Sequence, residues 1–223
     1  MKQLLISLLI FLSLNTFAQQ RKYSTFYEQR VSLFDTLPIN SEDIVFLGNS
    51  ITNGGEWCEL FENEHIKNRG ISGDTSEGVY DRLENITKGK PKKIFLMIGI
   101  NDIARNIPVD TIAKNIEKII LKIKEDSAGT KIYLQSALPV NPDFNMFAGH
   151  MKPNSIKSLN KQIKNLSLKH QTTYIDLYSQ FTIKDSDKLS PQYTNDGLHL
   201  LGEAYLRWAE ILKPYVEERN KKR

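Results

Sequence analysis

The feature that most limits how this chain can fold is an alternation of two hydrophobic periods. Short, unbroken apolar runs, Ile44-Val45-Phe46-Leu47 and Ile94-Phe95-Leu96-Met97-Ile98, are stopped in turn by Gly48 and Gly99, and Ile132 to Leu138 reads as another strand, stopped by Pro139. Ile66 to Asn68, ended by Gly70, and Thr173 to Leu177 read as two further strands. Between and around them, apolar residues recur at helical spacing: Tyr23 to Phe34, Thr75 to Ile86, Ile112 to Ile123, Ile156 to Leu166 and Gly202 to Glu218. A strand that is apolar at every position has no face to give to water. It must be covered on both sides, and buried strands separated by helices build a parallel sheet with right-handed crossovers. The expected fold is therefore α/β, a single three-layer α/β/α sandwich with a central parallel sheet. No internal repeat or linker divides the chain, and its 223 residues suit one sizeable domain. Ligands of such sheets bind beyond the carboxyl ends of the strands, so the chemistry is to be sought where the strands stop.

The N-terminus reads as a targeting segment. Lys2 precedes a polar-poor run from Leu4 to Leu14, and Thr16-Phe17-Ala18 forms a small-x-small pattern before Gln19. The run is about half the roughly 20 residues a bilayer span needs. Residues 1–18 are thus expected to be a signal peptide, residues 19–42 a helical lead-in, 43–218 the sandwich domain and 219–223 a basic tail. The mature protein is expected to be secreted or periplasmic, without stable membrane insertion; an uncleaved anchor is the alternative. The net charge of +4 is matched by Arg219, Lys221, Lys222 and Arg223 in the tail, and no basic surface interleaved with aromatics points to nucleic acid. Cys58 stands alone, which excludes an internal disulfide; it is expected to be buried and inert. His65, His150, His170 and His199 show no zinc-ligand spacing, so no metal is expected.

Four polar clusters lie at the edges of these elements. They are Gly48-Asn49-Ser50-Ile51-Thr52, Asn68 to Thr75, Gly99-Ile100-Asn101-Asp102, and Asp196-Gly197-Leu198-His199 just before the last helix. Ser50, in a tight strand-to-helix turn, is a candidate nucleophile, but a serine hydroxyl needs a base. His199 can supply it. Asp196, three residues earlier, can hold the other ring nitrogen and stabilise the imidazolium. The backbone N–H groups of Ser50 and Gly73 and the side-chain amide of Asn101 are candidate donors to an oxyanion. The bland alternatives are a helix-capping serine, a turn glycine and a turn asparagine. Asp102 is expected to be structural, and Ser72, Asp74 and Thr75 to cap the next helix.

Taken together and in this order, the four blocks resemble those of the SGNH/GDSL hydrolase superfamily over about residues 43–216. The resemblance implies a flavodoxin-like sandwich and ester hydrolysis without metal or organic cofactor. It places the catalytic serine at Ser50, the oxyanion glycine at Gly73, the oxyanion asparagine at Asn101, and the Asp and His at Asp196 and His199. One position departs from the pattern: Asn49 stands where the family has Asp, keeping a carbonyl acceptor and losing a charge. The segment Gln135 to Asn141 and Trp57 look like the branch of platelet-activating-factor-acetylhydrolase-like proteins and bacterial carbohydrate or sialate O-acetylesterases.

An acetyl ester on a sugar is the substrate this branch implies. A lysophospholipase or thioesterase with a longer acyl pocket, and a catalytically silent glycan-binding relative, are the alternatives. Trp57, Phe144, Met146 and Phe147 are candidates to line a leaving-group pocket, with local packing the competing reading, and Arg105 is a candidate contact for an anionic substrate.

Overall fold

The computed structural model describes residues 22–218. The expected signal peptide and basic tail therefore lie outside the described residues. Five strands form one sheet: β1 (Ile44–Gly48), β2 (Ile66–Gly70), β3 (Lys93–Met97), β4 (Lys131–Gln135) and β5 (Thr173–Ile175). They lie in the order β2-β1-β3-β4-β5, and every neighbouring pair is parallel. The chain steps one way from β1 to β2 and the other way from β3 onward. The topological switch point lies between β1 and β3, where a crevice opens in sheets of this kind.

Strand alternation sorts the core into two faces. Phe46 is level with Phe95 and Phe95 with Tyr133. Their rings stack across the sheet, 5.0 and 4.4 Å between centroids. Trp57 from helix α3 (Trp57–Leu60) extends the stack over Phe46 at 4.4 Å, and Trp208 from helix α10 (Gly202–Glu217) closes on Trp57 edge-on. The opposite face is aliphatic, with Val45, Leu47, Ile94 and Leu96 buried. Helices α7 (Val109–Asp126) and α8 (Pro153–Lys169) bury Ile112, Ile116, Ile119, Ile120 and Ile123, and Ile156, Leu159 and Ile163, in the same core. Each such side chain contributes about 1.5–3 kcal/mol by leaving water. The lead-in helix α1 (Thr25–Thr36), capped by Ser24, packs Tyr27 and Phe34 on Ile71. The Tyr27 hydroxyl donates to the Gly78 carbonyl at 2.8 Å.

Two elements differ from their sequence patterns. The helix expected over 75–86 is broken into α4 (Ser76–Asp81) and α5 (Glu84–Thr87). Arg82, at the break, turns inward to Asp74 at 2.8 Å and to the Gly48 carbonyl at 3.1 Å. The strand expected over 132–138 ends after Gln135. There the Asn160 side chain of α8 takes over the pairing: it accepts from the Ala137 N–H and donates to the Ala137 carbonyl, at 2.8 and 2.9 Å.

Candidate active site

Strands β1, β2 and β3 deliver three of the polar blocks to one edge. After β1, Asn49 caps the short helix α2 (Ser50–Asn53), its Oδ1 accepting from the Ile51 N–H at 3.1 Å. A carbonyl oxygen is all this cap requires, which explains how Asn stands in for Asp here. Ser50 is the first residue of α2, half-buried at the sheet edge. Its helix packs hard against the end of β2: a methyl group on Gly70 would lie 2.3 Å from the Asn53 nitrogen. After β2 the chain turns through Gly73 at φ +79°. Nothing lies within 4 Å of where a Cβ would be, so the backbone angle rather than space favours glycine.

After β3, helix α6 (Ile100–Ala104) carries Asn101 and Asp102. Asp102 is fully buried and accepts from the Ser76 N–H at 3.0 and 3.1 Å and from the Ser76 hydroxyl at 2.5 Å. It ties α6 to the start of α4, a structural part as the sequence reading has it. Asn101, 9% exposed, donates Nδ2 to the Asp74 carbonyl at 2.9 Å. Thr75 caps α4, accepting from the Gly78 N–H. Asp74 instead pairs with Arg82, and burial pushes its carboxyl up to about 6 against that pairing.

The fourth block comes from the far end of the chain. Asp196 Oδ1 accepts from the Leu198 and His199 N–H groups at 2.8 and 2.7 Å, while Oδ2 lies 2.7 Å from His199 Nδ1. His199 Nε2 lies 3.2 Å from Ser50 Oγ, across 149 positions of sequence. Burial works against ionisation of Asp196, but the hydrogen bonds from the His199 ring and the two N–H groups outweigh it. The carboxyl is held below its ordinary value. Tyr205 of α10 donates to the Ile51 carbonyl at 2.9 Å, fastening the last helix to the Ser50 turn. A water-sized cavity of about 10 Å³ lies among buried residues of this edge and is lined by none of Ser50, Gly73, Asn101 and His199. Its lining includes Ile51, Ile100 and Leu198, the apolar neighbours of Ser50, Asn101 and His199.

The other candidates fare differently. Trp57 does not line a leaving-group pocket. It is 1% exposed, stacked on Phe46, with its indole N–H on the Thr52 carbonyl at 2.8 Å; its large apolar ring belongs to the core. Cys58, expected to be buried, is exposed, because Trp57 takes the inward face of so short a helix. Arg105 is exposed at the rim, and its Nη2 donates to the Gly73 carbonyl at 2.8 Å, so it holds the glycine turn. Phe144 packs beside Gly197. Phe147 does reach the site, its ring edge-on to His199 at 5.1 Å and 39% exposed. His150 is the residue the sequence reading passed over: its Nε2 lies 3.0 Å from Asn101 Oδ1.

A parallel α/β/α sandwich with a serine, an imidazole and a carboxylate in series at its carboxyl edge is the architecture of a carboxylic ester hydrolase, and comparison with known proteins gives that class. The model of the GDSL-like lipase/acylhydrolase family matches residues 46–207, and the chain belongs to that family. It is 30% identical over 186 residues to platelet-activating factor acetylhydrolase IB subunit alpha2 of Rattus norvegicus, covering 78% of this chain and 75% of that protein. Among solved structures, it is similar to a Streptococcus pneumonia protein named for platelet activating factor, with TM-score 0.79 and 28% identity over 96% of this chain and 97% of that one. A GDSL-like lipase of Bacteroides thetaiotaomicron matches with TM-score 0.74 and 27% identity, over 86% of this chain and 97% of that one.

Proposed function

We propose that this protein is an exported serine esterase that removes short acyl groups, acetyl foremost, from sugar hydroxyls. The observation that carries the reading is the unbroken line from Ser50 Oγ to His199 Nε2 to Asp196, at 3.2 and 2.7 Å. In the proposed reaction Ser50 Oγ attacks the ester carbonyl carbon and its proton passes to His199 Nε2. Asp196 holds the Nδ1–H and favours the imidazolium as it forms. The carbonyl oxygen becomes an oxyanion among the Ser50 N–H, the Gly73 N–H and the Asn101 amide. As the intermediate collapses, His199 gives its proton to the leaving alkoxide. Water, deprotonated by the same ring, then cleaves the acyl-enzyme.

The preference for acetyl is supported by the acetylhydrolase name of a 30%-identical relative. A sugar as leaving group is supported by the exposed Phe147 ring beside His199, a flat apolar surface next to a wet rim. No metal or organic cofactor enters the scheme.

A purified Ser50→Ala variant that hydrolysed p-nitrophenyl acetate as fast as the unaltered protein would refute the proposal. A series of p-nitrophenyl esters is expected to peak at acetyl; an optimum beyond octanoyl favours a lysophospholipase or thioesterase. Good folding with no labelling by a fluorophosphonate points to a silent glycan-binding protein. Export predicts a mature N-terminus at Gln19, readable by mass spectrometry of the protein from the producing cell.

A further inference from the structure

We propose that His150 is a positioning residue that fixes which way the Asn101 amide faces during ester hydrolysis. The inference rests on the serine-esterase reading above. The oxygen and nitrogen of a primary amide are nearly equal in size, so packing alone does not choose between its two orientations; hydrogen bonds do. The choice matters here. With Nδ2 toward the reacting carbonyl, Asn101 stabilises the developing oxyanion; with Oδ1 there, it repels it.

Two contacts hold the amide. Nδ2 donates one hydrogen to the Asp74 carbonyl at 2.9 Å, leaving its second hydrogen for the substrate. Oδ1 lies 3.0 Å from His150 Nε2. An amide oxygen only accepts, so the His150 proton sits on Nε2. Asn101 is 9% exposed, so without His150 its oxygen loses a partner where water is scarce. The Asp74 carbonyl alone then holds the amide, which is freer to swing away from the reacting carbonyl.

The segment carrying His150 is built to keep it there. Asn145 and Phe147 take left-handed angles, φ +55° and +51°, and bend the chain back so that the His150 N–H donates to the Phe147 carbonyl at 2.8 Å. Lys152 Nζ donates to the Ile103 carbonyl at 2.9 Å and to Asn106 Oδ1 at 2.6 Å. Gly149 lies over Ala104, where an added methyl would make ordinary contact with its carbonyl oxygen at 3.4 Å. These contacts clasp the segment to α6, the helix that bears Asn101, so the imidazole and the amide stay in register. The Phe147 ring meets both imidazoles edge-on, His150 at 5.8 Å and His199 at 5.1 Å. His150 therefore acts on Asn101 and His199 on Ser50, with an aryl spacer between them.

The test is steady-state hydrolysis of p-nitrophenyl acetate by His150 variants, with Tm measured alongside. His150→Leu, which cannot donate, is expected to lower kcat roughly 10- to 100-fold with little change in KM. His150→Gln, which can donate from Nε2, is expected to recover most of that loss. In an Asn101→Ala background His150→Leu is expected to cost almost nothing further, since its target is gone. Wild-type kcat in His150→Leu, equal losses in the Leu and Gln variants, or losses that multiply in full in the double variant would each overturn the inference. If His150→Leu does not fold, His150→Gln against His150→Glu decides, because the two match in shape and only Gln donates; equal rates would overturn the idea. An unaltered protein that neither cleaves the ester nor reacts with a fluorophosphonate sinks the esterase reading itself. An active one indifferent to His150 sinks only this inference.

Discussion

Two regions meet at the active edge and are built on opposite principles. The strand ends that carry Ser50, Gly73 and Asn101 are short and largely buried, and they are fixed by backbone geometry. Gly70 admits α2 against β2, Gly73 takes a left-handed angle, and Asp102 locks α6 to α4 through Ser76. The segment 141–152 is irregular and mostly exposed, with two 3-10 turns. It is held from outside by Lys152 and by the Asn141 N–H, which donates to the Gly197 carbonyl at 2.8 Å. The first region offers groups that would do chemistry. The second offers Phe147 and His150, which would adjust it. The difference teaches that a sheet edge supplies precision through its backbone, whereas a surface segment acquires it only by being tied to that edge.

The largest expected effects lie in the first region. Ser50→Ala or His199→Ala is expected to lower kcat by about a million-fold, and Asp196→Asn by about ten-thousand-fold, all read on p-nitrophenyl acetate. Asn101→Ala is expected to cost about 100- to 1000-fold in kcat with KM nearly unchanged. A loss confined to KM would remove Asn101 from the oxyanion and break the comparison at its base. Trp57→Ala, beneath the same edge, is expected to cost about 3–5 kcal/mol of stability. Denaturant unfolding measures that loss, and the acyl-length preference of the surviving enzyme is expected to stay put.

Smaller effects belong to the outer segment. Burial keeps the His150 imidazole below its ordinary value of 6.5; nearby His199 and Lys152 add to this, and a hydrogen bond to the Phe147 backbone opposes it. The unfolded chain therefore takes up a proton near pH 6.5 that the folded protein refuses until lower pH. The stability tied to this group is complete above pH 6.5 and is lost as pH falls from there toward the folded-state value. Tm is thus expected to fall between pH 7 and 5 more steeply in the unaltered protein than in His150→Gln; parallel curves would contradict this. Asp196 has the same sign in a lower window: its depressed carboxyl gives stability that persists above about 3.8, its ordinary value, and goes only in stronger acid. Phe147→Ala is expected to move stability by less than about 0.5 kcal/mol, yet to change kcat/KM among leaving groups of different shape.

Much of this molecule was legible in its residues. Unbroken apolar runs require cover on both faces, so the sandwich and its parallel sheet follow from hydrophobic period alone. Glycines and polar clusters at the ends of those runs marked the edge where Ser50, Gly73 and Asn101 stand. The split of the helix at Arg82 was not legible, because the buried Asp74 at the other end of α4 draws that guanidinium inward. Trp57 was misplaced for a similar reason. A four-residue helix has no period to show which way its Trp57 faces, and only the Phe46 ring beneath it decided.

Local physics thus determined the fold class and the edge at which chemistry gathers, since periodicity and turn propensity act over a few residues. Tertiary structure alone decided the 3.2 Å approach of His199 to Ser50 and the 3.0 Å approach of His150 to Asn101. Each joins segments with no local relation to one another, and such distances are set only when the whole core closes around the sheet.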